Sequence, residues 1–180
     1  MSSAYEPAED SYLLESVIPK YAENKSVLDM CAGSGILAQK AIESGAKSVT
    51  AVDINKSALN SIKEHKIRKI ISSLFQKVKG KFDLIICNPP YLPEDKREDK
   101  ESRIATTGGK NGDEFILQFL DSVMKHIEKY GIVLLLVSYL TPMDEINKLI
   151  KKLNLKSKIV ASRNLFMEKL DVLEINSLSN

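Results

Sequence analysis

The sequence predicts a doubly wound α/β domain. Seven short apolar runs rich in β-branched residues recur along the chain, helical patterns separate most of them, and two of the runs, "FDLIIC" (82–87) and "GIVLLLV" (131–137), are continuous rather than alternating. A strand that is apolar on both sides must be covered on both faces, which is the condition of a parallel sheet between layers of helix. The chain has 180 residues, and at ~100–200 residues per domain that is one domain, 1–180.

Taken in order, "EDSYLLESVIPKY" places Leu13, Leu14, Val17 and Ile18 on one helical face, and residues 1–25 read as a helical lid segment. The strand "SVLDM" (26–30) follows, then a helix "ILAQKAIES" that stops at Gly45. "SVTAVDI" (48–54) is the second strand, and "NKSALNSIKEHK" the helix after it, with Ala58, Leu59 and Ile62 inward. "RKIIS" (68–72) and "FDLIIC" are the third and fourth strands. The stretch "EDKREDKESRIATTGGKNG" (94–112) is charged and aperiodic. A loop beyond ~12–15 residues is usually functional or disordered, so it reads as a flexible substrate-side segment. "DEFILQFLDSVMKHIEKYG" keeps Phe115, Ile116, Phe119, Leu120, Val123, Met124 and Ile127 at helical spacing, with Gly131 as its stop. After "GIVLLLV", "TPMDEINKLIKKL" offers Thr141 as cap and Pro142 and Asp144 in the first turn. "SKIVAS" (157–162) and "DVLEI" (171–175) have only "RNLFMEKL" between them. That is a hairpin, so one strand runs antiparallel.

Composition excludes several classes. Hydrophobic residues make up 43%, charged residues 28%, and the formal charge is +2. That is an ordinary globular balance and not a basic nucleic-acid coat. The lysine clusters "KEHKIRK" and "KKLNLKSK" read as solvated surface, and His65 and His126 as surface residues. No apolar run reaches the ~20 residues of a membrane span, and "MSSAYEPAED" has no apolar signal core. Cys31 and Cys87 make neither a disulfide framework nor a zinc site, so a cytoplasmic protein is expected.

Two motifs carry chemistry. The first strand runs into "LDMCAGSG": Asp29 ends the strand, and Gly33 and Gly35 turn the chain into a helix. Glycines at a βα turn let backbone approach a nucleotide. Asp53 ends the next strand 24 residues after Asp29, near the ~20 expected for an acid that binds ribose hydroxyls. Neither Gly-x-Gly-x-x-Gly nor a phosphate-cradling lysine loop is present. A ligand with adenosine but no pyrophosphate fits, and S-adenosylmethionine is such a ligand. The second motif is "NPPY" at the end of the fourth strand. An amide or aromatic amine is a poor nucleophile because its lone pair is delocalised. Asn88 supplies one acceptor for its N–H groups and the Pro89 carbonyl another, the prolines hold that carbonyl still, and Tyr91 can stack on a flat group. The leaving group is a neutral thioether, so no metal is expected.

Together "YEPAEDSYLL", "VLDMCAGSG", "VDIN", "FDLIICNPPYLP" and "GGKNGDEF" resemble the HemK-like class I methyltransferases, from Tyr5 to about Ile175. Within them the chain is similar to the archaeal and eukaryotic branch that methylates the glutamine of the release-factor Gly-Gly-Gln motif. "NPPY" alone is shared with adenine-N6 methyltransferases; "YEPAEDS" and "GGKNG" narrow the choice. The resemblance implies a Rossmann-like seven-stranded sheet with the last strand antiparallel. It implies Ser11 over the cofactor, Asp29, Ala32, Gly33 and Gly35 along its methionine side, and Asp53 and Ile54 at ribose and adenine. Asn88, Pro89 and Tyr91 would hold the substrate amide, with Asn88 also next to the cofactor.

There are two departures. Cys31 stands where the family has its first glycine, and reads as a small substituent in a tolerant turn rather than a catalytic thiol. At the end of the third strand, where the family has an acid near the adenine amine, Ser73 and Leu74 stand; losing that charge-assisted hydrogen bond weakens binding by roughly 1–2 kcal/mol. The branch also works with a small zinc-ribbon activator protein that pairs with the third strand. Ile70 and Ile71 on an edge strand suit such a partner, whereas Lys69 and Lys77 would suit a protected free edge. The expected function is S-adenosylmethionine-dependent N5-glutamine methylation of a release factor. An adenine-N6 nucleic-acid methyltransferase and a degenerate scaffold that only binds a partner remain as alternatives.

Overall fold

A computed structural model of the chain describes residues 7–94, 106–166 and 168–177. Helix α1 (Glu9–Val17) leads through a tight turn at Ile18–Lys20 into β1 (Ser26–Met30). Then come α2 (Ile36–Glu43), β2 (Ser48–Asp53), α3 (Lys56–Ser61), β3 (Ile67–Ile71) and β4 (Phe82–Cys87). Two short strands, β5 (Leu92–Pro93) and β6 (Thr107–Gly109), precede α4 (Glu114–Val123), β7 (Ile127–Ser138), α5 (Met143–Lys152), β8 (Leu155–Leu165) and β9 (Glu168–Ser177).

The main sheet has seven strands in the order β3-β2-β1-β4-β7-β9-β8. Neighbours from β3 to β7 pair in parallel, and β9 runs antiparallel to both β7 and β8. This is the expected architecture, with the last strand reversed. The continuous apolar runs are explained by alternation between two cores. Leu84 and Ile86 of β4 join Leu14, Val17 and Leu37 on one face. Ile85 and Cys87 join Phe119, Leu120 and Ile146 on the other.

Four local expectations are corrected. The helix expected to run to Gly131 stops at Val123, and residues 127–130 belong to β7. Phe82 donates its N–H to the His126 carbonyl (2.9 Å) and pairs with Ile127, so a partner strand distant in sequence captures residues with helical spacing. Helix α3 ends at Ser61 rather than near Lys66, although Ala58, Leu59 and Ile62 are buried as expected; its cap is Asn55, whose Oδ1 accepts from the Ser57 and Ala58 N–H groups. Thr141 does not cap α5: its hydroxyl accepts the Ser138 N–H, and Pro142 occupies the cap position. His126 is half-buried, stacked on Phe75 with ring centroids 4.6 Å apart. Of the segment 94–112, residues 95–105 lie outside the described residues, while 107–109 form β6 against β5.

The end of the first helical segment is tied to the far side of the sheet. Tyr21 donates its hydroxyl to Glu174 Oε2 on β9 (2.7 Å), and Glu174 also pairs with Lys158 (3.1 Å). Burial first, then the Glu174 carboxylate, push the phenol up to about 12, so it stays protonated at ordinary pH. Tyr21→Phe should lower stability by about 1–2 kcal/mol because it leaves the buried Glu174 short of a donor. The loss should be equal at pH 6 and pH 9, and thermal melting at both values checks it; a melting temperature equal to the parent's would refute the account.

Candidate active site

Chain order reverses across the β1–β4 pair: the sheet grows outward through β2 and β3, then resumes at β4 on the other side of β1. A crevice outside the strand ends at such a switch point is where an open α/β sheet binds its ligand. Register aligns that edge. Met30 pairs with Val52 and with Cys87, so Cys31, Asp53 and Asn88 leave the sheet side by side.

The turn after β1 is held by Asp53. Its Oδ2 accepts the Gly33 N–H (2.8 Å) and its Oδ1 the Asn55 N–H (2.8 Å). Both oxygens are thereby fixed, and each retains acceptor capacity for a hydroxyl. Cys31 sits at φ +64, a left-handed conformation that costs a side-chain-bearing residue roughly 1–2 kcal/mol, which is the physical reason a glycine is usual there. Its neighbour Cys87 is buried, and burial, then the Cys31 thiol, then Asp29 raise the Cys87 thiol well above its ordinary range. That environment disfavours a thiolate.

Two expected cofactor residues are absent from the pocket wall. Asp29 lies beneath the turn, fully buried, with Oδ2 accepting the Ala38 N–H of α2 (3.0 Å) and Oδ1 without a partner. Strand alternation turns it toward the α1–α2 layer rather than out of the sheet end. Gly35 also lies behind the wall. It has φ +82, and a Cβ there would stand 2.7 Å from the Ile62 side chain, so its smallness serves close packing of α2 on Ile62.

Asn88 continues the β4 alternation onto the α1 face. Its Nδ2 donates to Asp10 Oδ2 (3.2 Å) and Ser11 Oγ (3.4 Å). A carboxylate only accepts, so the nitrogen must face Asp10 and Oδ1 must face away. Oδ1 is buried and has no partner. Beyond it, Leu92 pairs with Thr107, and Glu94 donates its N–H to the Gly109 carbonyl (3.0 Å). The glycines of "GGKNG" allow this: a Cβ on Gly108 would stand 2.7 Å from the Pro90 carbonyl oxygen. The glycine loop therefore braces the backbone of "NPPY" from outside.

Glycine turn, Asp53 and Asn88 enclose one pocket of about 670 Å³, within the ~300–1,000 Å³ range of small-molecule sites. Among the expected residues Ser11, Cys31, Ala32, Gly33, Asp53, Ile54, Ser73, Leu74, Asn88, Pro89 and Tyr91 all reach its wall. The sequence reading missed Asp10, Thr107 and Phe115. Helical spacing assigned Phe115 to the core, and Thr107 lay in a segment read as mobile. Asp10 had a signal, since it precedes Ser11 in "YEPAEDS", but only the fold shows that it faces Asn88. Among the described residues no group of three His, Cys, Asp or Glu could hold a metal ion, and no helix is long and apolar enough to cross a membrane.

A family model described as the methyltransferase small domain matches residues 3–166. A putative protein N5-glutamine methyltransferase of Methanocaldococcus jannaschii is 40% identical over 178 residues, covering 94% of this chain and 89% of the relative. Methyltransferase HEMK2 of Mus musculus is 28% identical over 190 residues, covering 96% of this chain and 89% of the relative. Among solved structures, the E. cuniculi Mtq2–Trm112 complex, described as responsible for methylation of the eRF1 translation termination factor, matches with a TM-score of 0.81 at 24% identity. The match covers 99% of this chain and 100% of that one, and at this identity it speaks for the fold.

The buried acid beneath the turn has a thermodynamic signature. Burial is the largest influence on Asp29; the Ala38 N–H opposes it and the nearby Asp53 charge adds to it, and the carboxyl is pushed up to about 8. An unfolded Asp ionises near ~3.9. Between about pH 4 and pH 8 the unfolded chain therefore releases this proton while the folded chain keeps it, and stability falls as pH rises through that window. Asp29→Asn removes the titration and should flatten the decline, with the largest gain in melting temperature near pH 8 and little near pH 4. Equal slopes for parent and variant between pH 4 and pH 8 would contradict this environment.

Proposed function

The chain belongs to the methyltransferase small domain family as a HemK-like class I protein, and we propose that it methylates N5 of the glutamine in the Gly-Gly-Gln motif of a peptide release factor. It is an S-adenosylmethionine-dependent protein methyltransferase. The observation that carries the reading is the Asn88 amide, clamped by Asp10 so that its oxygen is left as a buried acceptor in the pocket wall.

The residues fit the cofactor. The pocket has the volume for an adenosine-bearing ligand, Asp53 presents a pre-oriented carboxylate for ribose hydroxyls, and Ile54, Ser73 and Leu74 line the same wall. Ser11, Cys31, Ala32 and Gly33 would line the methionine side, with Asp29 and Gly35 supporting the turn from behind. When bound, S-adenosylmethionine supplies a methyl group on a sulfonium, which departs as a neutral thioether.

Asn88 and Pro89 supply the other half. Asn88 Oδ1 and the Pro89 carbonyl accept the two N–H groups of the substrate carboxamide, which directs the nitrogen lone pair out of the pocket floor toward the methyl. No base is needed beforehand, because the N-methylated amide cation is strongly acidic and gives its surplus proton to water after the new bond forms. Tyr91 flanks the flat amide. Asp10 acts through Asn88: it holds the side chain in the one orientation that presents oxygen. The work is positioning and electrostatic complementarity, each typically worth several kcal/mol of barrier. A translation factor as substrate implies a cytoplasmic location.

We propose that the β3 edge docks a small partner protein, of the zinc-ribbon kind that the resemblance implies. β3 ends the main sheet, Ile71 is 41% exposed, and the Lys69 ammonium bonds back to the Ile62 carbonyl rather than guarding the edge. A partner strand added there would cover Ile70 and Ile71.

Asn88→Ala should abolish methyl transfer to a release-factor substrate, by 100-fold or more on the order-of-magnitude scale of oriented catalytic groups, with cofactor affinity within a few-fold of the parent's. Mass spectrometry of the release factor and calorimetry with cofactor measure the two effects; full activity in that variant sinks the mechanism. Methylation of RNA or DNA instead of the release factor would favour the adenine-N6 alternative. For the edge, Ile71→Asp should prevent co-purification with the activator protein while leaving the melting temperature near the parent's, and retained co-purification would argue against β3 as the docking strand.

A further inference from the structure

A carboxamide carries two N–H donors and one carbonyl acceptor. Asn88 and Pro89 provide for the donors only. The Asn88 NH2 group is committed to Asp10 and Ser11, and proline has no N–H to give. The substrate carbonyl therefore still needs a donor on the same side of the pocket.

Thr107 lines the same pocket. It lies in β6, paired with Leu92 just beyond "NPPY", and it shares the pocket wall with Tyr91 and Phe115. Its Oγ1 is buried and has no hydrogen-bond partner. Among the described residues of the pocket wall, only Asn88 Oδ1 and Thr107 Oγ1 are buried side-chain polar atoms without a partner. Leaving a buried hydroxyl unsatisfied is destabilising, and two such atoms in one wall mark groups that a ligand satisfies. Two other hydroxyls of the wall are engaged elsewhere, Ser11 with Asp10 and Asn88, and Ser72 with Lys77 and Ser73.

We propose that Thr107 is the carbonyl-binding residue of the substrate subsite, its hydroxyl donating to the carbonyl oxygen of the substrate amide while Asn88 and Pro89 accept the N–H groups. This rests on the glutamine reading above. It adds a specificity element. A primary amine such as a lysine side chain has no carbonyl and would leave Thr107 unpaired, and sites with unpaired buried polar groups reject such analogues strongly. The contact is made in the ground state as well as during transfer, so its loss raises KM more than it lowers kcat.

The test is steady-state methylation of a peptide containing Gly-Gly-Gln by the full chain, alone and with the zinc-ribbon activator added, read by mass spectrometry. Thr107→Val keeps the shape and removes the hydroxyl; KM for the peptide should rise roughly tenfold, with kcat within about threefold and cofactor affinity by calorimetry unchanged. Thr107→Ser should restore KM to within about threefold of the parent. An unchanged KM in Thr107→Val overturns the proposal, as does equal impairment of both variants, which would mean a purely structural role. A weakened cofactor affinity overturns it by placing the hydroxyl on the other ligand. If Thr107→Val melts far below the parent, Thr107→Ala takes its place. A parent that leaves the peptide unmethylated under both conditions refutes the glutamine reading itself and Thr107's role with it, whereas an active parent beside an unaffected variant refutes only the latter.

Discussion

Met30 pairs with Val52 on one side and Cys87 on the other, and from that register the rest of the site follows. It makes the glycine turn, Asp53 and Asn88 adjacent at one sheet edge. It also decides direction. A slip of one residue in β4 would turn every side chain to the opposite face. Asn88 would then point toward the α4–α5 layer instead of toward Asp10 on α1. The two cores match this register: Leu84 and Ile86 pack on the α1–α2 side, Ile85 and Cys87 on the other.

Several departures from ordinary packing lie at this same edge. Asp29 is a buried acid with one oxygen unpaired, Cys31 adopts a left-handed backbone, and Asn88 and Thr107 each leave a polar atom without a partner. A fold tolerates such features where the surrounding structure over-determines them. Here the site is enclosed on three sides: the sheet below, α1 at Asp10 and Ser11, and the β5–β6 pair outside. Across the sheet on β9, Glu174 is the better-satisfied buried acid, accepting from Tyr21 and Asn176 and pairing with Lys158.

Much of this was legible in the residues. Alternating runs and helical patterns identified the strands of the main sheet and the reversal at the end, because burial on two faces leaves a local trace. "NPPY" and the glycine turn announced the site, because their residue types are costly anywhere else. Other features left no local trace. Ile127 carries helical spacing but pairs with Phe82 of β4, and that competition is settled by a strand about 45 residues upstream. The segment around "GGKNG" reads as loop by composition, yet its glycines allow a close approach to the Pro90 carbonyl that only the folded chain reveals. Ser73 and Leu74, which the resemblance singled out just after the third strand, line the pocket wall.

By itself, then, the sequence determined the architecture, the family and most of the residues at the strand ends, since these depend on periodicity and on residue types with few uses. Tertiary structure decided orientation and partnership. It turned the Asn88 nitrogen to Asp10 and left its oxygen free, drew Asp29 and Gly35 behind the wall, and brought Thr107 into it. Each of these is a contact between elements far apart in the chain, and hydrogen-bond direction and burial exist only once those elements have packed.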